Sequence, residues 1–142
     1  MFAKMMVAAT LAVTATIAGA ETIEIKMLNR GEAGAMVFEP AFVKAEAGDV
    51  IKFVPTDKGH NAESIDGMLP DGVEAFKSDM NKEFELTAAA EGVYGIKCTP
   101  HYAMGMVALI QVGDAVNFDA AAGVKQKGKS KDRMAELLEQ VE

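Results

Sequence analysis

One cysteine and two histidines are the only thiol and imidazole donors in 142 residues, and they fall in two short segments. Cys98 and His101 lie in Cys98-Thr99-Pro100-His101-Tyr102-Ala103-Met104-Gly105-Met106, and His60 lies in Thr56-Asp57-Lys58-Gly59-His60-Asn61. A thiolate, two imidazoles and a thioether make the donor set of a trigonal His2Cys copper site with a distant axial Met. Thiolate and thioether favour Cu(I), imidazole accommodates Cu(II), and a rigid scaffold between the two preferences keeps reorganisation small. Zinc accepts the same donors, but structural zinc usually draws on more Cys or His and rarely on Met. Spacing leaves Met104 and Met106 as rival axial donors. Taken singly, a lone Cys reads as a small buried apolar residue and a lone His as an ordinary satisfied group. Their convergence on two loops makes the ligand reading the stronger one.

The elements that must position these donors are short β-type runs. Thr22–Leu28 alternates at first, and Asn29 to Gly34 supplies a turn. Val37–Val43 forms a second run whose Pro40 marks an edge or bulged strand. Asp49–Pro55, Lys82–Thr87, Gly92–Cys98 and Met106–Val112 follow, with a polar loop and a Pro70-Asp71-Gly72 turn before the fourth run. Strands at this spacing, all before any helix, predict an all-β core: a closed barrel or a two-sheet sandwich. In a sandwich, the His60 loop and the Cys98–Met106 loop can meet at one end.

Beyond Gly113 the pattern changes. Met134, Leu137, Leu138 and Val141 fall at i, i+3, i+4 and i+7, one helical stripe that predicts an appendix packed on the sandwich. Ala115–Ala122 is a shorter helix ended at Gly123. The basic run Lys125, Lys127, Lys129, Lys131 and Arg133 reads as a solvated lead-in to the last helix. At the other end, Lys4, an uncharged apolar run from Met5 to Ile17, and Ala18-Gly19-Ala20 have the layout of a cleaved secretory signal. The run falls short of the roughly 18 residues that suggest a membrane span. The expected organisation is a signal peptide over residues 1–20 and a single domain over 21–142, with a sandwich at 21–113 and a helical appendix at 114–142.

Composition agrees with one folded domain: 50% hydrophobic and 25% charged residues, with 14 basic against 21 acidic and a formal charge of −7. Intrinsic disorder and a disulfide scaffold are excluded. An unpaired thiol in an exported chain is a liability unless something occupies the sulfur.

The pattern Cys98-x2-His101-x4-Met106, with Gly59-His60-Asn61 upstream, resembles the cupredoxins, the type 1 blue copper proteins. The likeness extends over the mature chain through Gly34–Pro40, Pro55–Asn61, Val93-Tyr94-Gly95 and Lys97–Tyr102, and includes the two added helices. It implies an eight-stranded Greek-key β-sandwich holding one copper ion by His60, Cys98, His101 and Met106. It thereby decides between the methionines. It implies also that Asn61 bridges to the Cys98-Thr99 loop, while Pro100 stiffens that loop and removes a donor near the sulfur.

Four protein ligands leave no open position on a metal, and a second copper centre would need histidines the chain does not have. The expectation is therefore an electron carrier and not an enzyme. The resemblance implies a periplasmic donor to nitrite reductase in denitrification, fed by a c-type or similar respiratory cytochrome, monomeric, with no nucleic-acid or membrane partner. Docking would use an apolar patch of Ala35, Met36, Pro100 and Met104 around His101, ringed by Lys58, Lys77 and Lys97. The alternatives are a periplasmic copper-binding or storage protein, kept open by the Met104-Gly105-Met106 pair, and a structural zinc sandwich.

Overall fold

The computed structural model describes residues 19–142, so the predicted signal peptide lies almost wholly outside the described residues. Eight strands build two four-stranded sheets. They are β1 Thr22–Gly31, β2 Gly34–Glu39, β3 Phe42–Ala45, β4 Val50–Val54, β5 Glu63–Ser64, β6 Phe84–Thr87, β7 Gly92–Lys97 and β8 Val107–Val112. The first sheet runs β2-β1-β4-β6 and the second β3-β8-β7-β5. The architecture is the all-β Greek-key sandwich and not the closed barrel. Apart from the β1–β2 and β7–β8 hairpins, every connection between consecutive strands passes from one sheet to the other.

Two of these elements depart from the pattern read along the sequence. The run Val37–Val43 is two strands, because the chain leaves the first sheet at Glu39 and enters the second at Phe42. Pro40, which cannot donate to a ladder, stands at the crossing itself and not within an edge strand. The turn expected over Asn29–Gly34 shrinks to Glu32-Ala33, since Arg30 and Gly31 still pair with Ala35 and Gly34. Strand β5 lies within the expected polar loop; at two residues it is too short to show a period.

The core is double. Between the sheets lie Ile25, Met27, Phe38, Ile51, Phe53, Tyr94, Ile96, Ala108 and Ile110. Behind the second sheet, Val93, Val107 and Leu109 pack on Ala121, Met134 and Leu137 of two helices, α1 Phe118–Ala122 and α2 Ser130–Leu138. Strand β8 is therefore buried on both faces, which explains its nearly unbroken apolar run and hides its alternation. Its one polar residue, Gln111, faces outward and hydrogen-bonds both backbone groups of Glu142, donating to the carbonyl and accepting from the amide, each at 3.0 Å. The predicted helices are present, α1 starting three residues later than the expected Ala115.

Alternation places Tyr94, Ile96 and then Cys98 on the inner face of β7, and Met106, Ala108 and Ile110 on that of β8. The hairpin ladder ends with Lys97 opposite Val107, and Cys98 N–H donates to the Met106 carbonyl at 3.0 Å. Cys98 and Met106 thus face each other across the mouth of the hairpin, aimed into the inter-sheet core.

Phe53 is fully buried at the centre of that core, edge-on to Phe38 at 5.8 Å between ring centroids and 6.2 Å from Phe84. Phe53→Ala should lower stability by about 3–5 kcal/mol, read as a lower urea midpoint at unchanged slope.

Candidate metal centre

Between Cys98 and Met106 the chain makes a 3-10 helix, Thr99–Met104, in place of the expected irregular loop. Pro100 suits its start because the first amides of a helix have no internal acceptor. Gly105, at φ 95°, closes the turn in the left-handed region that a side chain would resist, and its amide returns to the Tyr102 carbonyl. One helical advance from Cys98 brings His101 back above the sulfur, with Nδ1 at 3.5 Å from Sγ.

The second loop follows β4. Its His60 is completely buried, with Nδ1 at 3.7 Å from Cys98 Sγ and 3.1 Å from His101 Nδ1. Donor atoms of His60, Cys98 and His101 all lie within 4.8 Å of one another. Cys98 and Met106 are fully buried, and His101 is partly exposed. Met104 points away and is 45% exposed, so the two methionines do not form a chelating pair.

His60 Nε2 faces Asn29 Oδ1 at 2.8 Å. An amide oxygen only accepts, so Nε2 carries the proton and Nδ1 presents its lone pair to the sulfur and to His101. That is the tautomer a metal ligand needs. Burial and the neighbouring His101 hold the His60 imidazolium below its usual range, against an opposing pull from Asp57. Burial pushes the Cys98 thiol up, opposed by backbone donors from Asn61 and His101. A buried thiolate is therefore unfavourable without a cation, and a soft cation is what the two imidazoles and the thiolate would hold.

Asn61 joins the loops. Its Oδ1 accepts from Thr99 N–H at 2.8 Å, and its Nδ2 donates to Thr99 Oγ1 at 2.7 Å and to the Ser78 carbonyl at 3.4 Å. Thr99 Oγ1 donates on to Glu63 Oε2 at 2.6 Å. Asn81, in the left-handed region at φ 63°, accepts the Gly59 amide and donates its own to the His60 carbonyl.

The residues expected to dock a partner lie on this end. Ala35, Pro100 and Met104 are exposed and Met36 is half-buried. Lys58 and Lys77 are exposed; Lys97 instead lays its ammonium 5.1 Å from the centre of the Tyr102 ring. Lys77 and Lys97 both pair with Glu63 in the backbone ladder, so they flank that carboxylate.

Residues 25–113 match the family described as copper binding proteins, plastocyanin/azurin family. A pseudoazurin of Paracoccus pantotrophus is 58% identical over 135 residues, covering 94% of this chain and 93% of its own length. The chain belongs to the pseudoazurin family. It is a blue copper electron carrier, copper is its cofactor, and pseudoazurins carry electrons between redox partners and are not enzymes. The refined crystal structure of the pseudoazurin from Methylobacterium extorquens AM1 superimposes with a TM-score of 0.83 at 48% identity, covering 85% of this chain and 99% of that one. The pseudoazurin of Hyphomicrobium denitrificans gives 0.82, also at 48% identity, over 85% and 98%.

Three residues around the site escaped the sequence reading. Asn29 was absorbed into a predicted turn, although it is the partner of a candidate ligand. Asn81 sits in a polar stretch with no pattern. Arg133 was placed in a solvated run but is half-buried, its guanidinium hydrogen-bonded to the Ala35, Met36 and Gly105 carbonyls.

Asn61→Ala would strand the Thr99 amide, remove the donor to the Thr99 hydroxyl and loosen the link between the two loops. The expected cost is about 1–3 kcal/mol in denaturant unfolding, with Asn61→Asp losing the two donor bonds but keeping the acceptor.

Proposed function

We propose that the mature chain begins at Glu21 in the periplasm, takes single electrons from a c-type cytochrome and delivers them to nitrite reductase. The observation that carries the carrier reading is the meeting of His60, Cys98 and His101 donors in a buried cluster beneath a partly exposed imidazole. His60, Cys98 and His101 would hold the copper ion as its three strong donors, with Met106 as the weaker fourth, a role supported by its burial and its place opposite Cys98. Copper supplies the one-electron Cu(I)/Cu(II) couple. The protein's part is to hold the donors still, exclude water and offer a route to the surface.

Asn61, Thr99 and Pro100 hold the loops in register. His101 is the port, the only one of the four residues reaching solvent. Around it Ala35, Met36, Pro100 and Met104 form an apolar contact area, with Lys58 and Lys77 at the rim and Lys97 shared with Tyr102. In a protein of net charge −7, a basic rim orients the approach to an acidic partner more than it attracts. Such carrier complexes are small and short-lived. The chain acts as a monomer, with neither nucleic acid nor membrane as partner; among the described residues no helix is long and apolar enough to span a bilayer.

Export is supported by the basic, apolar and small-residue order of residues 1–20. The Glu21 nitrogen lies 2.8 Å from Asp49 Oδ1, so cleavage after Ala20 would set an α-ammonium against that carboxylate. The mass of periplasmic protein should accordingly begin at Glu21; a species retaining residues 1–20 would defeat the assignment.

One equivalent of Cu(II) should produce an intense thiolate-to-copper absorption that bleaches with ascorbate and is lost in Cys98→Ser. A protein that stays colourless and takes zinc equally well would reject the carrier function. Reduced protein should then be reoxidised by nitrite reductase with nitrite. Met104→Glu should slow that step about tenfold, equivalent to about 1.4 kcal/mol, with the absorption spectrum unchanged. An unaltered rate would remove Met104 from the contact area.

A further inference from the structure

Helix α2 is more than a cover for the outer face of the second sheet. The segment that leads into it and its first turn touch the ligand loop at four residues, Gly128, Lys129, Ser130 and Arg133. Ser130 Oγ donates to the Tyr102 carbonyl, and Lys129 N–H donates to the Ala103 carbonyl at 3.0 Å. Gly128, in the left-handed region at φ 55°, lies so close to Ala103 that an added Cβ would stand 2.3 Å from its carbonyl oxygen. The fourth contact is Arg133. Its Nη1 donates to the Gly105 carbonyl at 2.9 Å and to the Met36 carbonyl at 2.8 Å, and its Nη2 to the Ala35 carbonyl at 3.0 Å.

The three acceptors come from two separate parts of the chain. Gly105 immediately precedes Met106, and Ala35-Met36 belongs to β2 beside the partly exposed His101. Met36 holds a φ of 52°, a left-handed conformation uncommon for a residue with a side chain. The Arg133 fork is what satisfies its carbonyl. Arginine suits this task because its donors are fixed in one plane and its charge persists at every working pH. The aliphatic stem is packed as tightly as the head is bonded: a Cβ on Gly105 would fall 2.8 Å from Arg133 Cδ.

We infer that Arg133 is a positioning residue for the copper site, fixing the peptide that carries Met106 against the Ala35-Met36 segment and so setting how closely the thioether stands over the metal. The inference rests on the ligand assignment proposed above. Because the axial donor tunes a type 1 site, loosening its backbone should appear in the electronic structure of the metal and not only in stability. The guanidinium acts through geometry: three carbonyls need the fork, and a lysine ammonium at the same position is a point donor on a differently shaped stem.

The test compares full-length mature wild type, Arg133→Lys and Arg133→Gln, with Lys131→Gln, two residues earlier and exposed on α2, as the control. Lys and Gln retain a long polar side chain, which preserves the helix. Copper(II) absorption and electron paramagnetic resonance are recorded with the reduction potential and thermal midpoint. The expected result is a changed ratio of the two thiolate-to-copper bands and a shifted potential in both Arg133 variants, with Lys131→Gln equal to wild type. Wild-type spectrum and potential in both Arg133 variants, whatever their thermal midpoints, would reduce Arg133 to a structural brace. A wild-type Arg133→Lys spectrum beside an altered Arg133→Gln would assign the effect to charge and likewise overturn the positioning role. Absence of the band in wild type itself would strike the copper-ligand assignment instead, so the two failures are distinct.

Discussion

Burying a thiol and an imidazole side by side is unfavourable unless the backbone that carries them is held from elsewhere, and here that hold is the reciprocal hydrogen bonding of Asn61 with Thr99. The two donor loops leave different sheets and share only the short β5–β7 ladder, in which Glu63 pairs with Lys97. One follows β4 in the first sheet, the other joins β7 to β8 in the second. A single amide spans the gap, accepting and donating at once. Around it Glu63, Ser78 and Asn81 extend the same polar lattice, and among the described residues no buried side-chain nitrogen or oxygen lacks a partner. A site held this way changes shape little when its charge changes, which is the property an electron carrier needs.

The sandwich supplies the rest by strand arithmetic. Period two puts Cys98 and Met106 on inner faces, and the antiparallel register puts them opposite each other. A 3-10 advance then returns His101 to the sulfur. Tight closure by Gly105 and the packing of α2 leave the thioether of Met106 inside and that of Met104 outside. Two methionines only two residues apart are thereby given unlike environments, one dry against the core and one at the surface.

What the sequence could disclose followed from how local each signal is. Alternation marked β1 and β6, while apolar runs bounded by turn signals marked β4, β7 and β8. The cluster of chemistry-bearing residues was legible because the chain has so few of them. The Val37–Val43 run misled, since a crossing between sheets has the same apolar character as a continuing strand and only Pro40 betrays it. Asn29 and Arg133 were missed for a common reason. Each acts across a long stretch of chain, Asn29 on His60 and Arg133 on Gly105 and Met36, and an Asn near a turn or an Arg on a helix carries no local mark of such a partner. The stripe on α2 was readable, but Ser130 on that same buried face and Arg133 at its edge, which meet the ligand loop, carry only polar side chains.

The same strand directions that gather the donors gather the start of β1 and Glu142 at the opposite pole. Thr22 pairs with Val50, Ala45 and Gly92 with Val112, and Gln111 fastens Glu142 beside them, all a strand length from Cys98. A tether attached beside Thr22 or Glu142 would therefore leave the His101 face turned outward. Immobilised on an electrode or fused to a reductase at either point, the protein would present its conducting pole to whatever stands in front of it.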